Sequence, residues 1–291
     1  MEILKTYKLY IGGQFPRTES GRSYLVSSLA GEPLANACLA SRKDIRNAVQ
    51  VARKAHGAWA AKTALNRSQI IYRIAEMLEA RKGQFIDELS EAGFGMEEAN
   101  AEILSCIDRC VYYAGWADKF QALISSVNPV ASSHFNFSTP EPMGVVGVLA
   151  CQNTPLIGFI SQILPIIIGG NTVVVLANSK MPLSAISFCE VLATSDVPGG
   201  VVNVLTGSID ELLPTLASHM DVNALSLATV SNMPKVFEAQ ELAIENLKRT
   251  QLLVHDFKNQ DAQGMEFITD FQEIKTTWHP IEQIAGGAGA Y

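Results

Sequence analysis

Three groupings of side chains in this sequence have the chemical type to act on a substrate. Cys151 and Asn153 stand two residues apart, a thiol beside an amide, the pairing needed to attack a carbonyl and stabilise the resulting oxyanion. His255 and Asp256 are adjacent and of the types that move protons. Cys106 and Cys110 are four apart, which places two sulfurs on one helical face, as a pair of metal ligands requires. Each grouping also has a plainer reading. Cys151 follows a buried apolar run with no base visible beside it and reads as a packed structural thiol. Adjacent side chains at a strand end point to opposite faces, so His255 and Asp256 read as a solvated strand exit. No His or Cys motif completes a set with Cys106 and Cys110, so no metal site is expected. Asn153, before Thr154 and Pro155, can instead hold a turn through its amide.

The elements that would position these groups can be read from the pattern of apolar residues. From Ser41, an N-cap type, to about Gln121 the spacing is helical, as in Ile45, Val49 and Ala55, and three or so amphipathic helices fit. Residues 128–142 turn to Ser, Pro and alternating aromatics, which suggests a hairpin. A regular alternation follows. Strands are expected at 144–150, 172–176, 201–205, 224–227 and 251–254, and helices at 155–169, 182–193, 210–218 and 234–247. Strands that read as near-continuous apolar runs, each separated by one helix, imply an α/β protein with a Rossmann-like doubly wound parallel sheet. Residues 267–278 alternate in character and read as one more extended strand.

The chain has 291 residues, 48% of them hydrophobic, enough for one large or two modest cores. Its formal net charge of -7, without a basic cluster, argues against nucleic acid or an anionic membrane surface as partner. The most apolar stretch, 156–168, is broken by Gly158, Ser161, Gln162 and Pro165 and is shorter than the roughly 20 residues of a membrane span. Five thinly spread cysteines and an N-terminus unlike a signal peptide point to a reducing, cytoplasmic setting.

One further set of residues recurs in a telling order. It comprises Tyr10-Ile-Gly-Gly-Gln14, Glu91-Ala-Gly93, Glu141-Pro-Met-Gly-Val-Val-Gly147, Asn153-Thr-Pro155, Gly170-Asn-Thr-Val-Val-Val175, Pro182-Leu-Ser-Ala185 and Pro198-Gly-Gly-Val-Val-Asn-Val-Leu-Thr-Gly207. In order and spacing it resembles the aldehyde dehydrogenase superfamily along nearly the whole chain. The resemblance implies that family's cofactor-binding domain over 1–130 and 142–257, with N-terminal helices. It implies a small oligomerisation β element from 131–141 and 265–280, a flexible tail at 281–291, and a missing catalytic domain. The family's chemistry is attack of a cysteine on an aldehyde, hydride transfer to NAD or NADP, and hydrolysis assisted by a glutamate.

Residue by residue, the resemblance places Asn153 at the oxyanion position and Asn153, Gly199, Gly200 and Gly207 in the cofactor-binding frame. It also marks departures. Leu176 and Ser179 stand where a Lys and a Glu hold the adenosine ribose, and Val230 stands in the loop that receives the pyrophosphate, so cofactor binding is not favoured. Leu253 replaces the general-base glutamate, and no nucleophile motif follows. The chain therefore reads as a pseudoenzyme, a structural or regulatory subunit in a hetero-oligomer with a full-length aldehyde dehydrogenase. A homo-oligomer, an oxidoreductase that binds NAD(P) and a nucleotide sensor are the alternatives.

Overall fold

Ser41 fixes the start of the first long helix: its hydroxyl accepts from the Asp44 N–H while the Asp44 carboxylate reaches back to the Ser41 N–H. The computed structural model describes residues 3–228 and 233–281. Ahead of that cap lie three short strands, β1 (Thr6–Tyr7), β2 (Ser23–Ser27) and β3 (Pro33–Cys38), in the order β1-β3-β2. The apolar pattern did not reveal this sheet, because β2 fully buries only Val26 and so carries almost no alternation. Helices α1 (Arg42–Ala60), α2 (Ala64–Ala80), α3 (Lys82–Glu91), α4 (Met96–Ala114) and α5 (Phe120–Ile124) follow. They are five where about three were expected, since Arg81 alone separates α2 from α3 and the periodicity runs on across the break. The chain then forms the hairpin of β4 (Ser126–Asn128) and β5 (His134–Pro142).

The expected alternation comes next: β6 (Val145–Leu149), α6 (Ile157–Ile168), β7 (Thr172–Leu176), α7 (Leu183–Ala193), β8 (Val202–Leu205), α8 (Ile209–Ser218), β9 (Ala224–Ala228), α9 (Met233–Leu242) and β10 (Arg249–Leu253). The five strands are parallel and ordered β10-β9-β6-β7-β8. Val146, Val148, Val173 and Val175 face a core shared with α2, α4, α6 and α7. Val145, Leu149, Val174 and Leu176 face a second core shared with α1, α8 and α9. The sheet is thus covered on both faces, which explains why its strands have no polar side.

Two stretches depart from expectation. The helix expected to run to Leu247 stops at Leu242, and a 3-10 turn (Ile244–Asn246) with Leu247 at φ 54° turns the chain into β10. Residues 267–269 are not extended. They lie in the short helix α10 (Glu266–Thr269), and β11 (Gln272–Pro280) begins only after it. Phe267, Ile268 and Phe271 are all buried, a helical spacing that overrides the apparent alternation. From Gln272 opposite Pro142 to Pro280 opposite His134, β11 pairs antiparallel with β5 in unbroken register, giving a small sheet ordered β11-β5-β4. The sheet begins at Ser126, ahead of the expected boundary at 131. Among the described residues no helix is long and apolar enough to cross a membrane. The expected tail at 281–291 lies, after Ile281, outside the described residues.

Candidate functional site

In a parallel sheet the ligand crevice opens beyond the carboxyl ends of the strands, where successive connections leave in opposite directions. Here that point lies between β6 and β9, because β7 adds on one side of β6 and β9 on the other. A cavity of about 200 Å³ sits at this edge, lined by Cys151, Asn153 and Thr154 after β6 and by Val254, His255 and Phe257 after β10. Asn153 is exposed, and no hydrogen bond holds its amide among the described residues. The turn it was expected to hold is held by its neighbours. The Thr154 hydroxyl accepts from the Gly158 N–H at 3.0 Å, and the buried Asn178 amide donates to the carbonyls of Cys151 and Thr154 at 3.4 and 3.3 Å. The Asn178 oxygen accepts from the Lys180 and Met181 N–H groups, so one neutral side chain ties the loop after β6 to the loop after β7.

Cys151 lies in the loop beyond β6 and is buried, its sulfur turned to α6, where a Cβ on Gly158 would stand 3.1 Å from Sγ. Gln162 on α6 accepts from the Cys151 N–H at 2.8 Å and donates to the Leu149 carbonyl at 3.1 Å, which clamps the end of β6. His255 does not meet Asp256: its ring packs 5.2 Å from that of Phe267, while the Asp256 carboxylate accepts from the Lys258 N–H in a local turn. Cys106 and Cys110 are buried on α4, and burial raises both thiols well above their ordinary range. Among the described residues no cluster of His, Cys, Asp and Glu is suited to a metal.

The glycines divide. Gly207 (φ 145°) follows β8 and stands at the crevice edge, where an added Cβ would lie 3.1 Å from the Ala40 nitrogen. Gly199 and Gly200 precede β8 and so lie at the opposite end of the sheet. An added Cβ at Gly199 would meet the Gly12 carbonyl at 2.5 Å, and Gly200 (φ 95°) leaves no room before the Val51 carbonyl. Close backbone packing requires these two. Leu176 is buried in the sheet core, the Ser179 hydroxyl and N–H both donate to Gln152 Oε1, and Leu253 is buried at the end of β10. Val230 lies outside the described residues.

Two charged residues missed in the sequence shape this site. Glu102 and Arg109 sit on the buried face of α4 with Cys106 and Tyr113. Glu102 accepts from the Leu156 and Ile157 N–H groups at 3.0 and 2.9 Å, so the N-terminus of α6 already faces a carboxylate of the chain itself. Arg109 donates to the Ser161 hydroxyl at 2.5 Å and to the Ala262 carbonyl at 2.6 Å, with longer contacts to the carbonyls of Phe257 and Asn259. It thereby pins the connector between β10 and α10 against α4 and α6. A charge falling on the apolar stripe of a helix was the available signal.

Burial raises the Glu102 carboxyl above its ordinary range, more than its two backbone hydrogen bonds lower it. A raised folded-state pKa contributes stability that is complete below the unfolded value and lost as pH rises through the folded one. Relative to Glu102→Gln, the parent chain should therefore lose melting temperature as pH rises above about 4.3. Parallel thermal melts at rising pH check this, and a gap independent of pH would contradict it.

The sequence profile of the aldehyde dehydrogenase family matches residues 17–254. Cytosolic aldehyde dehydrogenase 1 of Elephantulus edwardii is 31% identical over 252 residues, covering 84% of this chain and 49% of that protein. Retinal dehydrogenase 2 of Mus musculus is 29% identical over 255 residues, covering 86% of this chain and 48% of that protein. Among solved structures, the NAD+ complex of an aldehyde dehydrogenase from Bacillus cereus superposes with a TM-score of 0.80 at 26% identity, over 85% of this chain and 50% of that one. The chain spans about half the length of the curated relatives it matches.

Proposed function

The chain belongs to the aldehyde dehydrogenase family, and on that premise we propose that it is a non-catalytic member, acting as a structural or regulatory subunit beside a full-length aldehyde dehydrogenase. The observation that carries this reading is the state of the crevice. The position of the base is a buried leucine, Leu253, and the position of the ribose lysine is a core residue, Leu176. The Ser179 hydroxyl is committed to Gln152. These residues do not fit the adenosine end of NAD or NADP, since none offers a charged or free polar group to a ribose. No hydride-transfer step is assigned to the chain.

The small sheet supports a partner. β11 is an edge strand that exposes Ile274 and Trp278, with exposed Phe135 and Val127 on its neighbours, and an uncovered edge with apolar side chains invites pairing. By the resemblance, a full-length relative would bring a catalytic domain to this sheet, which favours it over a second copy of the chain. The five cysteines are all buried and form no disulfide, in keeping with the cytoplasm.

Co-expression of the tagged chain with a full-length aldehyde dehydrogenase encoded in the same genome tests the proposal. A stoichiometric complex on size-exclusion chromatography is expected, weakened at least roughly tenfold by Trp278→Ser with Ile274→Ser. A monodisperse chain that ignores every such enzyme, or a complex indifferent to both substitutions, would overturn it.

A further inference from the structure

Distinct from the crevice cavity but bordered by the same loops, a second cavity of about 250 Å³ lies between the N-terminal sheet, the end of α3, Pro155 and the segment joining β7 to α7. Its apolar wall includes Leu34, Leu89, Phe94 and Met181, and its charged groups are Lys5, Lys180, Glu88 and Glu91. Among the described residues none of these four takes part in an ion pair. Two positive and two negative charges thus line one small space with no ion pair among them, although Lys5 acts on Glu88 through space.

Glu88 is the most constrained of them. One carboxylate oxygen accepts from the Ser187 hydroxyl at 2.7 Å and from Gln84 at 3.2 Å, whereas Oε2 is buried with no hydrogen-bond partner. Burying a carboxylate oxygen without a donor is unfavourable, and a donor brought by a ligand would offset that cost. Burial accordingly raises Glu88. Burial first, then the neighbouring Glu88, pushes the Tyr7 hydroxyl up to about 12, so Tyr7 remains a donor at neutral pH. The Lys5 ammonium lies 4.2 Å from the centre of the Tyr7 ring, held at the mouth by its face.

A lone anion would satisfy the lysines and leave Glu88 and Glu91 unmatched, and a lone cation would do the reverse. A molecule carrying both signs matches both. The volume falls below the roughly 300–1,000 Å³ usual for drug-sized ligands, which excludes a dinucleotide and sets a size of about ten heavy atoms. We propose that this cavity binds a small zwitterion, an α-amino acid with an apolar side chain, its carboxylate toward Lys5 and Lys180, its ammonium toward Glu88 and Glu91, and its side chain against Leu34, Leu89, Phe94 and Met181. The site is independent of the partner proposed above. Lys180 and Met181 belong to the segment that Asn178 ties to the crevice loop, so an occupant would stiffen that loop as well.

Calorimetric titration of the full chain with L-leucine and L-phenylalanine, with thermal melts in parallel, tests the site. Saturable heat below about 1 mM is expected for at least one of them, together with a raised melting temperature. The matching carboxylates without the amine (4-methylpentanoate, 3-phenylpropionate) and amines without the carboxylate (3-methylbutylamine, 2-phenylethylamine) should bind at least about tenfold more weakly. Glu88→Gln and Lys180→Met should each weaken binding by a similar factor, while melts without ligand report whether either variant is folded. No heat from either amino acid at roughly 10 mM, equal binding of the single-charge analogues, or unchanged affinity in two folded variants would overturn the proposal.

Discussion

Replacing Arg109 by methionine is expected to destabilise the chain by about 3–5 kcal/mol and to free the connector between β10 and α10. The guanidinium is buried, and its hydrogen-bond partners are one hydroxyl and three backbone carbonyls, with no carboxylate among them. Methionine fills much of the volume but leaves the carbonyls of Ala262 and Phe257 without a donor inside the protein. Arg109→Lys should recover only part of the loss, because a single ammonium cannot reach both Ser161 on α6 and the connector as the planar fork does. Urea unfolding gives the energy, and limited proteolysis gives the location, as new cleavage at residues 257–263. A variant that unfolds like the parent and resists cleavage there would show that the connector is held by its buried Phe257 and Ala262 alone.

The same residue explains which parts of the molecule were legible in the sequence. The strands at 145–149 and 172–176 were readable because both faces of each are buried, so their apolar character is continuous and local. The β1-β3-β2 sheet was not, since its burial pattern depends on α1, α3 and the β7–α7 segment laid over it. Sequence also named Asn153, Leu176 and Leu253 as residues of one crevice, and the fold brings the ends of their strands to one edge. What it did not give was the apparatus around them. Glu102 acts on α6 from 54 positions earlier, and Arg109 acts on the connector from 150 positions before Asn259 and 153 before Ala262, so neither role leaves a local mark. The turn role expected of Asn153 failed for a related reason: Asn178, after the next strand, reaches the same carbonyls from inside the protein, and Asn153 is left to solvent.

Restoring the glutamate alone, as Leu253→Glu, is expected to cost roughly 3–5 kcal/mol near pH 8 and to restore no aldehyde-dependent formation of NADH. Leu253 shares its core with Phe257 and Phe267, and a carboxylate there has lost its water. Burial raises a carboxyl pKa, so the new glutamate folds most easily when protonated. Its cost should be small below about pH 4.3, grow as pH rises through the raised folded value, and level off above it. Melts of variant and parent at acid and alkaline pH measure that slope, and an assay with aldehyde and NAD+ measures the chemistry. A gap that does not widen with pH would place position 253 in contact with water. NADH formation by the variant would mean that a nucleophile and a cofactor site are already in working order and that Leu253 is the only lesion. That outcome would remove the basis for a non-catalytic subunit, because the reading depends on several positions having changed together: a buried leucine for the base, a core leucine for the ribose lysine, and a serine bonded to Gln152 rather than open to a ribose.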